Sequence, residues 1–536
     1  MSDNSSNLEK NLGETTLQDH DPQHKTDVHR GLKSHHIQLL SIGGVIGTGL
    51  FVGTGTSLTR AGPLGVLVAY GIYCFLLWCV AQAAGEMSSY LPVQGAFTTH
   101  SFRFIDPAIG VAVGWVYAYS MCAFSAADIS ALVNLWSYWF DESPAVWVTI
   151  TLVVVFLMNA LAVKYFGEAE FHFAIFKIFL IIGFIFFTFV VMLGGNPQHD
   201  RIGFRYWKDP GVWNTYMYPG DKGRFLAFFS CFVLAAFSVS GPEFVSMCAS
   251  EAVNPRRNIP KAVRRVFYLH HVYYIAYKKS SILVPYNDET LLEAQANGKG
   301  VSASPFVVAM TRLKIKFLPN LVNALVITSA WSCTNSLVFC AVRTLHALAK
   351  NGQAPFFFAW TTKHGVPLVT LSFVIGISSL SYMTVNTHAA VVFNWFVNLG
   401  STSIMLAYIT ICVANLRFNA GLKAQGISRD SLPFRASLYP YSVYIGAIGI
   451  SIILFFNGWA VFTKGNWSVQ DFFTAYFGLM FYAVVFVFWK LWKRTSFVKP
   501  EEMDLTTGLD EVEEHTKSLE FKEPQTRWER FIDWLF

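Results

Sequence analysis

Apolar residues along this chain fall into blocks of roughly 20, the length that crosses a hydrocarbon core about 30 Å thick. The blocks run at about 36–57, 64–84, 108–137, 145–163, 172–194, 225–249, 318–342, 367–385, 390–416, 438–463 and 471–493. A further block is expected at about 266–286. Short polar connections lie between them. The pattern predicts an all-α, polytopic membrane protein of about twelve transmembrane helices. It divides the chain into an N-terminal tail over 1–33, a transmembrane domain over 34–495 and a C-terminal tail over 496–536.

Lys and Arg in the connections set the orientation. Arg256, Arg257, Lys261, Arg264 and Arg265 share one connection, Arg343, Lys350 and Lys363 another, and Arg417, Lys423, Arg429 and Arg435 a third. With twelve helices all of these face the cytoplasm, as do both termini. Arg201, Arg205, Lys208, Lys222 and Arg224 fall on the opposite side, beside Asp200, Asp209 and Asp221. The first thirty residues are polar and hold no apolar core, so no cleavable signal peptide is expected.

Composition agrees: 53% of residues are hydrophobic and 14% charged, against about 25% charged in soluble domains. The net charge of +6 comes without a basic run interleaved with aromatics, which argues against nucleic acid as a partner. All eight cysteines lie inside apolar blocks and none forms a C-x-x-C pair, so they read as small packing residues. There is no G-x-S-x-G, no H-E-x-x-H and no phosphate-binding loop, so an enzyme is not expected. No metal site and no cofactor are predicted. The C-terminal tail is acidic at first and ends in Trp528, Phe531, Trp534, Leu535 and Phe536. That end reads either as a helix lying on the membrane surface or as a disordered tail.

Two blocks carry interruptions. The first contains Ile46-Gly47-Thr48-Gly49-Leu50-Phe51 among six glycines. Glycine this dense weakens a helix and lets backbone approach a ligand. Freed N–H groups at the start of the following half-helix make an anion site that suits a substrate carboxylate. Close helix packing through small residues explains the same glycines equally well. The sixth block reads Phe237-Ser238-Val239-Ser240-Gly241-Pro242-Glu243, where proline removes a helix hydrogen bond. Broken helices in corresponding places of two five-helix halves, about 36–194 and 225–416, point to a midplane binding site in a transporter built from inverted repeats. Among the few charges at membrane depth, Asp128 and Lys177 are candidates for ligand or proton handling. Glu86 and Arg343 close their blocks near the cytoplasmic interface, where snorkelling or a structural salt bridge is expected.

A long ordered set of motifs resembles the fungal amino acid permeases of the amino acid–polyamine–organocation superfamily, over about residues 30 to 495. It includes Gly31-Leu32-Lys33, Ile42-Gly43-Gly44, Gly47-Thr48-Gly49-Leu50-Phe51, Gly85-Glu86-Met87, Asn254-Pro255-Arg256-Arg257, Val284-Pro285-Tyr286-Asn287-Asp288 and Phe393-Asn394-Trp395. The resemblance implies a plasma-membrane proton symporter for L-amino acids, working by alternating access. It implies a 5+5 inverted-repeat core with broken helices 1 and 6, and extra helices at about 438–493. It places the substrate carboxylate at Gly47, Thr48 and Gly49, and the ammonium at carbonyls of Val45, Phe237 and Ser240. Ser238 lies in the same break, and Phe237 packs over the substrate. Lys177 looks like the lysine that stands where relatives bind sodium; burial disfavours its charged form. Glu243 matches a glutamate linked to coupling. Ubiquitin ligase adaptors are implied partners of the cytoplasmic tails.

Three departures stand out. The family usually has glutamate where this chain has Asp128, and Gly-Thr-Glu where it has Gly241-Pro242-Glu243. The third is Leu269–Ser281, which carries Lys278 and Lys279 where the family has an uninterrupted apolar helix. Two lysines at membrane depth cost roughly 5–7 kcal/mol on the insertion scale. We read this stretch as a misread intron, a reading that an uninterrupted stretch of these codons in mature message would overturn. A sensor on a permease scaffold is the alternative function, although the tails are short for one.

Overall fold

The computed structural model describes residues 47–161, 163–247, 249–265, 283–297, 304–363, 365–518 and 526. Among the described residues the regular elements are helices, with no strand. A π-helical turn, Gly49–Gly53, passes directly into α1, Thr54–Tyr90. This run is two spans. Gly62 takes φ 72° and ψ 175°, and Pro63 starts the second limb, where its missing N–H costs nothing. α2 (Phe97–Phe104) lies across the end of the bundle that holds Tyr90. α3 (Pro107–Trp136) begins on Asp106, whose side chain accepts from the Ala108 N–H at 2.8 Å. α4 (Pro144–Ala160) and α5 (Val163–Met192) complete the first group.

The second group opens with α6 (Gly220–Ser238) and the short α7 (Pro242–Met247). Then follow α8 (Leu318–Lys350), α9 (Leu368–Ser378) and α10 (Ala389–Ala424). α11 (Tyr441–Phe456), α12 (Val469–Lys493) and a tail helix, α13 (Leu509–Ser518), close the chain. Eight helical runs among the described residues are long and apolar enough to cross a membrane, and α4 and α11 are shorter apolar helices. Every apolar block read from the sequence outside 266–286 thus has a helix in its described part, the first block being described only from Gly47. Residues 266–282 of that remaining block, including Lys278-Lys279, lie outside the described residues, as do Val45 and the aromatic end beyond Arg527.

One boundary differs in a way that matters. The apolar block starts at 172, but α5 reaches back to Val163. Glu170 in this extension is buried and finds polar partners on α8. α3 sits at the centre, where Ala, Gly and Ser let α8 and α10 approach closely. α5 and α12 lie outside, turning Phe179, Phe186, Val484 and Leu491 outward as a lipid-facing surface.

The Tyr90 end is tied together by polar contacts. Glu86 is fully buried. Its Oε1 accepts from Arg429 Nη2 at 2.6 Å and Nε at 2.8 Å, and its Oε2 from Asn415 at 2.8 Å and Asn419 at 3.1 Å. The stretch after α12 folds back over this end. Val498 N–H donates to Ile105 at 2.9 Å, Arg103 pairs with Asp504 at 3.1 Å, and Gln425 donates to the Met503 carbonyl at 2.8 Å. Met503, Leu505 and Val512 are buried beneath it. Also at this end, burial pushes the His100 imidazole down to about 4, although its ring bonds the Leu91 carbonyl at 2.8 Å. No disulfide joins the seven described cysteines.

Candidate functional site

The two interruptions meet. α6 stops at Ser238; Val239 is extended (φ −128°, ψ 105°), and Gly241 takes φ 139°, a conformation that disfavours any side chain. Pro242 restarts the helix as α7. Glu243 folds back on the break, its Oε2 accepting from Gly241 N–H at 3.1 Å and from the Tyr408 hydroxyl of α10 at 2.9 Å. Across from it, the π turn brings Gly49 against Ser238. A Cβ on Gly49 would lie 2.7 Å from Ser238 Oγ and 2.8 Å from Ser238 Cα. Only a residue without a side chain lets the spans come this close. Ser238 Oγ itself donates to Leu234 at 2.6 Å, within its own helix.

Beside this crossing lies a small chamber. Gly47 and Gly49 line it from the first span, Phe237 and Ser240 from the sixth, Met121, Phe124 and Asp128 from α3, and Cys333 and Leu337 from α8. About 10 Å³ is open to the centres of water molecules, room for about one. Phe237 roofs it, 5.2 Å from the Phe124 ring and 5.5 Å from Phe393.

Thr48, fully buried, donates its hydroxyl to Asp128 Oδ1, and its backbone N–H lies 3.4 Å from the same oxygen. A carboxylate of the chain itself therefore sits where a ligand carboxylate was expected. The Cys333 thiol of α8 also bonds the Asp128 carboxylate. Behind it, the charge of Lys177 interacts with Asp128, Cys333 and Glu170. Lys177 Nζ is 3.9 Å from Glu170 Oε1, with both side chains 1% exposed.

The structure thus brings Gly47, Thr48, Gly49, Asp128, Phe237 and Ser240 to one chamber, with Lys177 next to it. It sets Ser238 and Glu243 apart: Ser238 packs the crossing and Glu243 braces the break against α10. Glu170 was missed by the sequence reading. The signal was its seven-residue spacing from Lys177, two turns along one helix face. Among the described residues no group of three His, Cys, Asp or Glu could hold a metal ion.

A model of the amino acid permease family matches residues 36–501. The chain belongs to that family. This amino acid permease is 40% identical over 517 residues to a proline-specific permease of Emericella nidulans, covering 95% of this chain and 94% of that one. A proline-specific permease of Saccharomyces cerevisiae is 39% identical, covering 94% and 83%. A lysine-specific permease of the same yeast is 37% identical, covering 96% and 84%. A crystal structure of a manganese transporter mutant from Eremococcus coleocola, 14% identical, covers 85% of this chain and 94% of its own with a TM-score of 0.54, and shares the fold. The permease is accordingly a multi-pass membrane protein that transports amino acids and not an enzyme.

Proposed function

We propose that this permease imports neutral amino acids across the plasma membrane by proton symport, through alternating access of two inverted repeats, about 36–194 and 225–416. The carrying observation is the chamber at the crossing of the two broken spans, with Asp128 and Lys177 against it. The substrate carboxylate displaces Asp128 from Thr48 N–H and takes that site with Gly49. The ammonium goes to backbone carbonyls of the breaks at Val45, Phe237 and Ser240. Asp128, freed, turns to Lys177, and this exchange of partners couples substrate to proton. Glu243 steadies the broken sixth span during the motion. Both termini face the cytoplasm, where the tails are available to ubiquitin ligase adaptors.

Met121, Phe124, Phe237 and Leu337 leave an apolar place for the substrate side chain, and Asp128 is already engaged. This favours a small neutral side chain such as that of proline over a cation or a second carboxylate. Uptake of labelled proline in a transport-deficient cell tests the proposal. It is expected to saturate, to rise at acid pH, to collapse with an uncoupler and to resist competition by lysine and glutamate. Sodium dependence without pH dependence would overturn the coupling, and competition led by lysine would overturn the substrate class. Signalling without saturable uptake would favour a sensor instead.

A further inference from the structure

Glu170 stands in the membrane interior with a role that the chamber alone does not explain. A carboxylate at that depth is costly unless paired, protonated or hydrated. It is paired with Lys177 at 3.9 Å, and Ser332 of α8 donates to its Oε1. The hydroxyl of Ser336 and the amide of Asn335, also on α8, lie within reach of the same carboxylate without a short hydrogen bond to its Oε2. All three belong to one polar patch, since Ser332, Asn335 and Ser336 all interact with Glu170. A purely structural ion pair saturates its lone pairs, as Glu86 does at the other buried cluster. Glu170 instead draws its bonds from Lys177 and from neutral groups of α8, which leaves it the capacity to take up a proton without breaking a charged anchor other than Lys177.

Its position gives that capacity a direction. Successive crossings put the start of α5, at Val163, at the same end of the bundle as Tyr90. Seven residues separate Glu170 from Lys177, so Glu170 lies about 10 Å nearer that end. Asp128 at the chamber, Lys177 behind it and Glu170 below form a descending series. The ionisable groups facing Lys177 are Asp128 from α3, Cys333 from α8 and Glu170 from its own helix. Facing Glu170, Lys177 is the charged group, while α8 offers only neutral polar side chains.

We propose that Glu170 accepts the coupling proton from Lys177 and passes it toward the cytoplasm, a reading that rests on the symport mechanism above. An N–H bond of the Lys177 ammonium breaks and an O–H bond forms at Glu170 Oε1, leaving a neutral amine and a neutral carboxylic acid. A small rotation or one water closes the 3.9 Å gap. The acid then gives its proton to water at the cytoplasmic mouth and becomes a carboxylate again. Lys177 is reprotonated from the outward-open chamber.

The test compares net uptake with substrate-for-substrate exchange, in cells where surface level is measured. In Glu170→Gln, net uptake is expected to fall at least about tenfold more than exchange, as for loss of a positioned proton acceptor, and to lose its acid stimulation. Glu170→Asp restores part of both. A structural role would lower both modes together and leave the pH profile intact, and that result overturns the proposal. If Glu170→Gln does not reach the membrane, Ser332→Ala decides: a shifted pH midpoint of uptake supports the proposal and an unshifted one overturns it. Wild-type uptake indifferent to pH would instead defeat the symport reading itself. Acid-stimulated wild-type uptake, lost in Lys177→Gln but kept in Glu170→Gln, would defeat this inference alone.

Discussion

Two sets of buried carboxylates sit in this bundle, and they are bonded differently. At the Tyr90 end, Glu86 has partners on both oxygens, drawn from Arg429, Asn415 and Asn419. Asp106 is likewise filled by Ala108 N–H, Thr495 and Lys490. Nearer the crossing of the broken spans, Asp128, Glu170 and Glu243 each have one oxygen without a short hydrogen bond among the described residues, with Cys333 within reach of Asp128 and Ser336 and Asn335 within reach of Glu170. Burying a polar atom without a partner costs about 1–3 kcal/mol. The fully bonded acids hold elements together; of the other three, Glu243 braces the break, while Asp128 and Glu170 stand where the proposed mechanism requires partners to be exchanged.

This contrast can be broken by mutation. The largest effect is expected at Gly49→Val, which drives a branched side chain into Ser238 and should abolish uptake. Thr48→Val should be milder, since it keeps the backbone N–H while losing the hydroxyl bond to Asp128. Uptake per surface molecule measures both, and the reverse order would contradict the carboxylate site. Next comes Asp128→Asn, which keeps an acceptor for Thr48 but removes the charge. Uptake should fall about 100-fold or more with little change in melting temperature.

Glu86→Gln should do the opposite. Breaking a buried ion pair costs about 3–5 kcal/mol, with the low end expected because Arg429 is 30% exposed. Melting temperature and surface level should drop, while the pH profile of the remaining uptake holds. A changed profile would erase the distinction between the two sets. The smallest effect concerns His100. Its folded value of about 4 lies below the unfolded one near 6.5, so the unfolded chain binds the extra proton between them. Its stabilising contribution is therefore complete above pH 6.5 and lost as pH falls toward 4. The purified wild type should melt lower at pH 5 than at pH 7, and His100→Gln should flatten that slope.

Much of this was legible beforehand because membrane physics writes it locally. Twenty apolar residues in a row, a Gly-Thr-Gly run or a proline inside a span is visible without a partner. The same holds for Asp128 and Lys177, whose charges stand alone in apolar surroundings. Glu170 was hidden because Lys164, Glu168 and Glu170 together look like a polar connection. Only the extension of α5 to Val163 turns the last of them inward. The bond between Glu243 and Tyr408 joins positions 165 apart, and such pairings follow from how helices cross rather than from composition. For the same reason the contacts that Ser238 makes with Gly49 at the crossing, and Glu243 with Gly241 and Tyr408, could not be read from the sequence.

The narrowness of the chamber has a consequence for the cell's energy economy. A cavity that admits about one water molecule cannot hold a continuous file of them. Hydrogen ions therefore have no wire to hop along while the carrier is unloaded. If transport is proton-coupled as proposed, the gradient would be tapped only when cargo wedges the walls apart, and idle copies would not short-circuit it.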